Sequence, residues 1–201
     1  MTSEPSRPDG HGEAPVAILL AGPNGAGKST SRSLAVPVEY AFLNADIVAA
    51  RLVAEGHPIA GVEIAAGRVV LDEMKRLVDA RSSFCLETNL AARGLVRSVS
   101  SWQAGGYRVR LHFIALRSPE LAIARVAQRV AAGGHHVPEE VVRRRWRGGL
   151  HAFFDVYMPR VEAWSLVDNS DQAAVAVAHG EEGSTEITDP VRWAEFRRLA
   201  R

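Results

Sequence analysis

Residues 16–30 read VAILLAGPNGAGKST: a short apolar run ending in glycine, three glycines within six positions, then a lysine and two hydroxyl side chains. The apolar run suits a parallel strand buried on both faces. Gly22, Gly25 and Gly27 let successive backbone N–H groups turn toward one point without Cβ clashes. The following SRSLA opens a helix that Pro37 stops, so the turn also meets the positive end of a helix. A strand, a glycine turn and a helix in that order commit the chain to an α/β fold.

Gly22-Pro23-Asn24-Gly25-Ala26-Gly27-Lys28-Ser29-Thr30 meets the P-loop pattern in full. In that pattern the loop amides cradle the phosphates of a nucleoside triphosphate. Lys28 reaches the β- and γ-phosphates and the Ser29 hydroxyl holds magnesium. The chain has two lysines among its 24 basic residues, so a lysine at 28 is informative: the position takes a compact ammonium where a planar guanidinium does not fit.

The rest of the chain continues the alternation. Strands are expected at 40–45, 83–88, 107–116 and within 164–180. Helices are expected at 47–55, 59–80, 90–104, 119–132, from Pro138 onward and after Pro190. This predicts a three-layer P-loop kinase fold, a mainly parallel sheet with helices on both faces. Residues 1–14, rich in Pro, Gly and Ser without apolar periodicity, read as a disordered tail, and 15–201 as one domain. With 47% apolar and 23% charged residues and a net charge of +1, neither a nucleic-acid nor a membrane partner is expected. No apolar run approaches the roughly 18 residues of a membrane span, and the N-terminus does not read as a signal peptide. The single cysteine, Cys85 between Phe84 and Leu86, reads as an inert thiol in a buried strand and fits a reducing compartment, so a cytoplasmic location is expected.

A P-loop states only that nucleotide binds. No Asn-Lys-x-Asp segment marks a GTPase and no apolar strand ending in Asp-Glu marks a motor ATPase, which leaves a small-molecule kinase, with ATP or GTP as donor. Such an enzyme needs an acid beside the acceptor hydroxyl, polar groups to hold the acceptor and arginines to neutralise phosphoryl charge. In α/β sheets ligands bind at the C-terminal ends of the strands. Asn44-Ala45-Asp46 and Glu87-Thr88-Asn89 end the second and third strands. Asp46 is the candidate general base; its structural alternative is a helix N-cap. Glu87 and Thr88 are candidate acceptor contacts; for Glu87 the alternative is a salt bridge to a core arginine.

Residues 117–160 carry eight arginines against four acids. Arg125 and Arg129 lie one helical turn apart, and Arg143 and Arg144 follow the turn Gly133-Gly134-His135-His136-Val137-Pro138. Two basic helices hinged by glycines read as an arginine-rich lid over about 125–150 that closes over the triphosphate; the alternatives are a solvated charged face and a nucleic-acid-binding surface. His135 and His136 have no partners at zinc spacing and read as lid-loop residues.

Taken in order, GPNGAGKST, NAD at 44–46, ET at 87–88, RVAQRVAAGGHHVPEEVVRRR at 125–145 and VDNS at 167–170 resemble the zeta-toxin-type kinases, relatives of nucleotide kinases and of chloramphenicol phosphotransferase. The resemblance spans roughly 15–195. It implies transfer of the γ-phosphate of ATP or GTP, with Mg²⁺, to the 3′-hydroxyl of UDP-N-acetylglucosamine. Lys28 would be the phosphate lysine and Asp46 the base, Glu87 and Thr88 would contact the acceptor, and Arg129 with Arg143 or Arg144 would stabilise the transition state. An antitoxin is a partner the resemblance allows and no residue here indicates. Shorter members commonly read Glu-Thr-Thr-Leu-Ser where this chain has Glu87-Thr88-Asn89-Leu90-Ala91, which removes two hydroxyls beside the acceptor. Beside the nucleotide-sugar kinase stand two alternatives: a P-loop module that binds nucleotide without phosphotransfer, and a kinase for an antibiotic or another small metabolite.

Overall fold

The computed structural model describes residues 14–91, 94–134 and 136–201; the expected tail and His135 fall outside the described residues, save Ala14. The chain runs β1 (Val16–Ala21), α1 (Lys28–Ala35), β2 (Ala41–Leu43), α2 (Ala45–Ala54), α3 (Val62–Asp79), β3 (Phe84–Thr88), α4 (Gly94–Ala104), β4 (Arg108–Ala115), α5 (Pro119–Ala131), α6 (Glu139–Ala152), β5 (Ala163–Asp168), β6 (Val175–Glu181), β7 (Glu186–Ile187) and α7 (Pro190–Leu199). Between α6 and β5 a π-helical turn spans Phe153–Tyr157.

Seven strands form one sheet in the order β2-β3-β1-β4-β5-β6-β7. The first five run parallel, and helices cover both faces. β1 lies at the centre, with Leu19 in register with Leu86 of β3 and Leu111 of β4. Its continuous apolar run follows from that place: Ala17, Leu19 and Ala21 join one core layer with Phe84, Val109 and Phe113. Ile18 and Leu20 join the other with Cys85, Ile114 and Ala122. Phe84 meets Trp102 edge to face at 5.2 Å. Each large side chain so buried contributes about 1.5–3 kcal/mol.

The expected strand region within 164–180 holds two strands, β5 and β6; β6 runs antiparallel to β5, and β7 adds a short antiparallel edge that the sequence does not signal. The physical reason is length. Only residues 169–174 join β5 to β6, and a parallel crossover needs a dozen or more.

Cys85 is buried in β3, and burial, then the nearby Glu87 carboxylate, push its thiol up to about 12. It is protonated at neutral pH. Among the described residues no helix is long and apolar enough to cross a membrane.

Two placements bear on function. β2 pairs in parallel with β3, which pairs with β1, so the segments after Leu43, Thr88 and Ala21 emerge side by side. On the other side of β1, α5 and α6 bury Ala122, Val126, Val142 and Trp146 against the sheet. The Trp146 indole N–H donates to the Leu116 carbonyl at 2.7 Å, fully buried, which sets the rotation of α6.

Candidate active site

The P-loop joins β1 to α1, and its lysine lies back along the loop. Lys28 Nζ donates to the carbonyls of Gly22 and Pro23, both at 3.0 Å, and stands 3.8 Å from the Glu87 carboxylate. Burial holds the ammonium below its ordinary pKa, opposed by the carboxylates of Glu87 and Asp46. Ser29 Oγ donates to Glu87 Oε2 at 2.9 Å. Glu87 therefore meets both polar side chains of the P-loop, Lys28 and Ser29. The register explains this: Glu87 sits opposite Leu20 on the neighbouring strand, one residue from where β1 ends.

Asp46 does not cap α2. That position belongs to Asn44, whose Oδ1 accepts from the N–H groups of Asp46 at 2.7 Å and Ile47 at 3.2 Å. With the helix end satisfied by its neighbour, the exposed Asp46 carboxylate is left in the cleft. Thr88 and Asn89 shape the turn after β3: Thr88 Oγ1 accepts from Leu90 N–H and Asn89 Oδ1 from Ala91 N–H, both at 3.1 Å.

The arginines divide. Arg125 and Arg129 of α5 line the cleft over the P-loop. Arg125 is already engaged, its Nη1 donating to the Asn169 carbonyl at 2.7 Å. Arg143 and Arg144 do not reach the cleft. Both are exposed and line a separate groove toward α7, and Arg143 pairs with Glu120 of α5. Arg145 is the residue of the triplet that faces inward, with Nη1 3.3 Å from Asn24 Oδ1. The reason is helical phase. The buried positions of α6 include Val142, Trp146 and Gly149; Arg145 lies three residues from the first and four from the last, on their face. A Cβ at Gly149 would stand 2.8 Å from the Asn89 carbonyl, so α6 lies directly on the turn that carries Thr88 and Asn89. The apolar face of α6 was the signal from which Arg145 could have been read.

Two cavities open here. One, of about 250 Å³, is lined by Gly25, Gly27, Ser29, Thr30, Arg125 and Arg129. The other, of about 220 Å³, is lined by Asn44, Ala45, Thr88, Asn89 and Arg145. Asn24, Lys28, Asp46 and Glu87 line both. Among the described residues no three His, Cys, Asp or Glu side chains form a metal cage. The Ser29 hydroxyl and Glu87 carboxylate are nonetheless hard oxygen donors of the kind magnesium takes when most of its other ligands are phosphate and water, so the residues fit that ion accompanying a nucleotide.

Comparison with known proteins agrees with this architecture. The profile of the AAA_33 family, described as an AAA domain, matches residues 18–151. An uncharacterized protein of Haemophilus influenzae is 27% identical over 130 residues, 65% of this chain and 91% of that one. Among solved structures, the AvrRxo1-ORF1:-ORF2 complex with ATP superposes with a TM-score of 0.77 at 17% identity, covering 92% of this chain and 63% of that chain. The PezAT chromosomal toxin–antitoxin system of Streptococcus pneumoniae gives a TM-score of 0.62 at 17% identity, over 96% of this chain and 81% of that one.

Proposed function

This chain belongs to the AAA_33 family, and we propose that it is an ATP-dependent kinase transferring the γ-phosphoryl group to a hydroxyl of a small polar molecule. One observation carries the reading: a cavity over the P-loop and a cavity over the ends of β2 and β3 meet at Asn24, Lys28, Asp46 and Glu87. A phosphate donor and an acceptor held in the two would have their reacting atoms at that junction.

Residues 22–30 hold the phosphates. Lys28 exchanges the loop carbonyls for β- and γ-phosphate oxygens, which add to the Glu87 and Asp46 carboxylates in offsetting the burial of its ammonium. Ser29, with Glu87 behind it, would hold magnesium, which when bound neutralises charge on the phosphate oxygens. Asp46 accepts the proton of the acceptor hydroxyl as its oxygen bonds to the γ-phosphorus and the bond to ADP breaks. Arg129 from the P-loop side and Arg145 from the acceptor side, as parts of an α5–α6 lid, neutralise the charge that spreads over the phosphoryl oxygens. Arg143 and Arg144 have no part in this assignment.

The acceptor cavity is below the roughly 300–1,000 Å³ typical of drug-sized ligands, and its lining is polar apart from Ala45. A sugar-sized, hydroxyl-bearing group suits it. UDP-N-acetylglucosamine, the acceptor of the family resemblance, remains a second reading, with its sugar in the cavity beside Thr88 and its nucleotide outside.

The test is to incubate purified protein with γ-labelled ATP, magnesium and a bacterial metabolite extract, and to identify by mass spectrometry what gains phosphate. A phosphorylated small molecule that disappears with Asp46→Ala supports the reading. Tight ATP binding with no phosphorylated product would leave a nucleotide-binding module instead.

A further inference from the structure

We infer that Asn169 is a positioning residue of the phosphate loop, holding the Ala26–Gly27 peptide so that its amide faces the nucleotide; this rests on the P-loop binding ATP as proposed above. Asn169 follows β5 and lies 143 residues from the loop it touches. Its side-chain amide Nδ2 donates to the Ala26 carbonyl at 2.8 Å. A trans peptide is planar, with its carbonyl and N–H pointing to opposite sides. Holding the Ala26 oxygen outward toward Asn169 therefore aims the Gly27 N–H the other way, into the cavity that Gly25, Gly27 and Lys28 line.

The fit is close on both sides. Gly27 has φ +83°, and a Cβ there would stand 2.8 Å from Asn169 Nδ2. The glycine is therefore required both by backbone conformation and by the approach of this amide.

Asn169 can hold the loop because it is itself held. Its backbone N–H donates to Ala115 at the end of β4 at 3.0 Å, and its carbonyl accepts from Arg125 of α5 at 2.7 Å. The residue before it, Asp168, is 1% exposed and pairs with Arg117 at 3.3 Å and Arg192 of α7 at 3.0 Å. Its Oδ1 also accepts from the Ser170 N–H at 2.9 Å. Elements on three sides thus immobilise one carboxamide against one peptide of the P-loop. Arg125, expected from the sequence to face phosphate, spends its guanidinium on this anchorage.

The test compares wild type with Asn169→Ala and with the isosteric Asn169→Asp, which keeps the packing but presents only acceptors to the Ala26 carbonyl. Calorimetry with MgATP gives the dissociation constant, acceptor-independent ATP hydrolysis gives kcat and KM, and thermal unfolding without nucleotide reports stability. The expected result is a rise of tenfold or more in the ATP dissociation constant and KM for both variants, at least as large for Asn169→Asp, with kcat changed far less. Variants that are folded and bind MgATP as wild type does overturn the inference. So do variants that lose only melting temperature and active fraction, which marks a merely structural contact. Failure of the wild type to bind MgATP would remove the nucleotide reading itself, and is distinguished from loss in the variants alone.

Discussion

Truncating Arg145 should cripple phosphoryl transfer, while truncating its neighbour Arg144 should not. Arg145 is half-buried, lines the acceptor cavity with Lys28 and Asp46 and acts electrostatically on Lys28. A positioned donor aimed at charge that develops in the transition state is worth about 10²–10³-fold in kcat, roughly 2.7–4 kcal/mol. A dedicated arginine finger supplies ~10³–10⁵. The lower range applies to Arg145, because it shares its guanidinium with Asn24 at 3.3 Å. Arg144 is exposed on the outer face of α6, where substitutions usually stay within about 0.5 kcal/mol, roughly twofold. The assay is initial-rate transfer from γ-labelled ATP to the acceptor found in the extract, with kcat and KM for each variant. Arg145→Lys should recover only part of the loss, since a point charge lacks the guanidinium fork. A loss of about 100-fold in Arg144→Ala, with Arg145→Ala within twofold of wild type, would refute the assignment and the helical-phase reasoning behind it.

Asp46→Asn should bind MgATP with wild-type affinity by calorimetry and lose about 10²–10⁴-fold in transfer; unchanged transfer rules out Asp46 as base. Glu87→Gln should raise the magnesium concentration needed for half-maximal rate by about tenfold, read from a magnesium titration at fixed ATP, because the Ser29 hydroxyl loses its charged partner. Lys28 titrates below its ordinary value, and phosphate binding raises it. ATP affinity should therefore decline as pH rises, and do so at lower pH than an ordinary lysine would dictate. Calorimetry over a series of pH values should show proton uptake on binding that grows as pH rises, and a flat profile contradicts the shift. Gly149→Ala puts a Cβ 2.8 Å from the Asn89 carbonyl, so denaturant unfolding should show a loss of about 1–3 kcal/mol.

What the sequence made legible was local. β1, the P-loop and α1 are adjacent in the chain, and the strand ends carrying Asp46 and Glu87 follow from apolar runs that stop at polar residues. The rest depended on contacts that spacing does not encode. Glu87 was expected at the acceptor but also hydrogen-bonds Ser29, because strand register sets its neighbour, not its position in the chain. Three consecutive arginines look equivalent until the buried Val142, Trp146 and Gly149 fix the phase of α6. The Asp168 ion pairs join residues 24 and 51 positions apart, and Asn169 reaches across 143. VDNS at 167–170 stood out as a motif, but nothing in its composition says that it grips the P-loop. Asn44 and Asp46, two residues apart, are equally good capping residue types; only the geometry of the first turn of α2 separates them.

The junction of the two cavities also bears on how an acceptor would be chosen. Among the described residues the acceptor side has no aromatic ring to stack a nucleobase and, apart from Ala45, no apolar wall, so selection by these residues would rest on hydrogen bonds from Asn44, Thr88, Asn89 and Arg145. Sites of that kind discriminate steeply, rejecting an analogue that lacks a bonded hydroxyl by about 10⁴–10⁵-fold, because their own buried polar groups are then left unpaired. A cavity of about 220 Å³ can apply that selection only to the group inside it. Whatever extends beyond, including the nucleotide of a nucleotide-sugar, would contribute affinity without deciding which hydroxyl reacts. Acceptor specificity should therefore respond to removal or inversion of single hydroxyls on the sugar-sized group more strongly than to exchange of what is attached to it. Equal rates for epimeric acceptors, with strong dependence on the attached nucleotide, would instead place recognition outside the cleft that Lys28, Asp46 and Glu87 define.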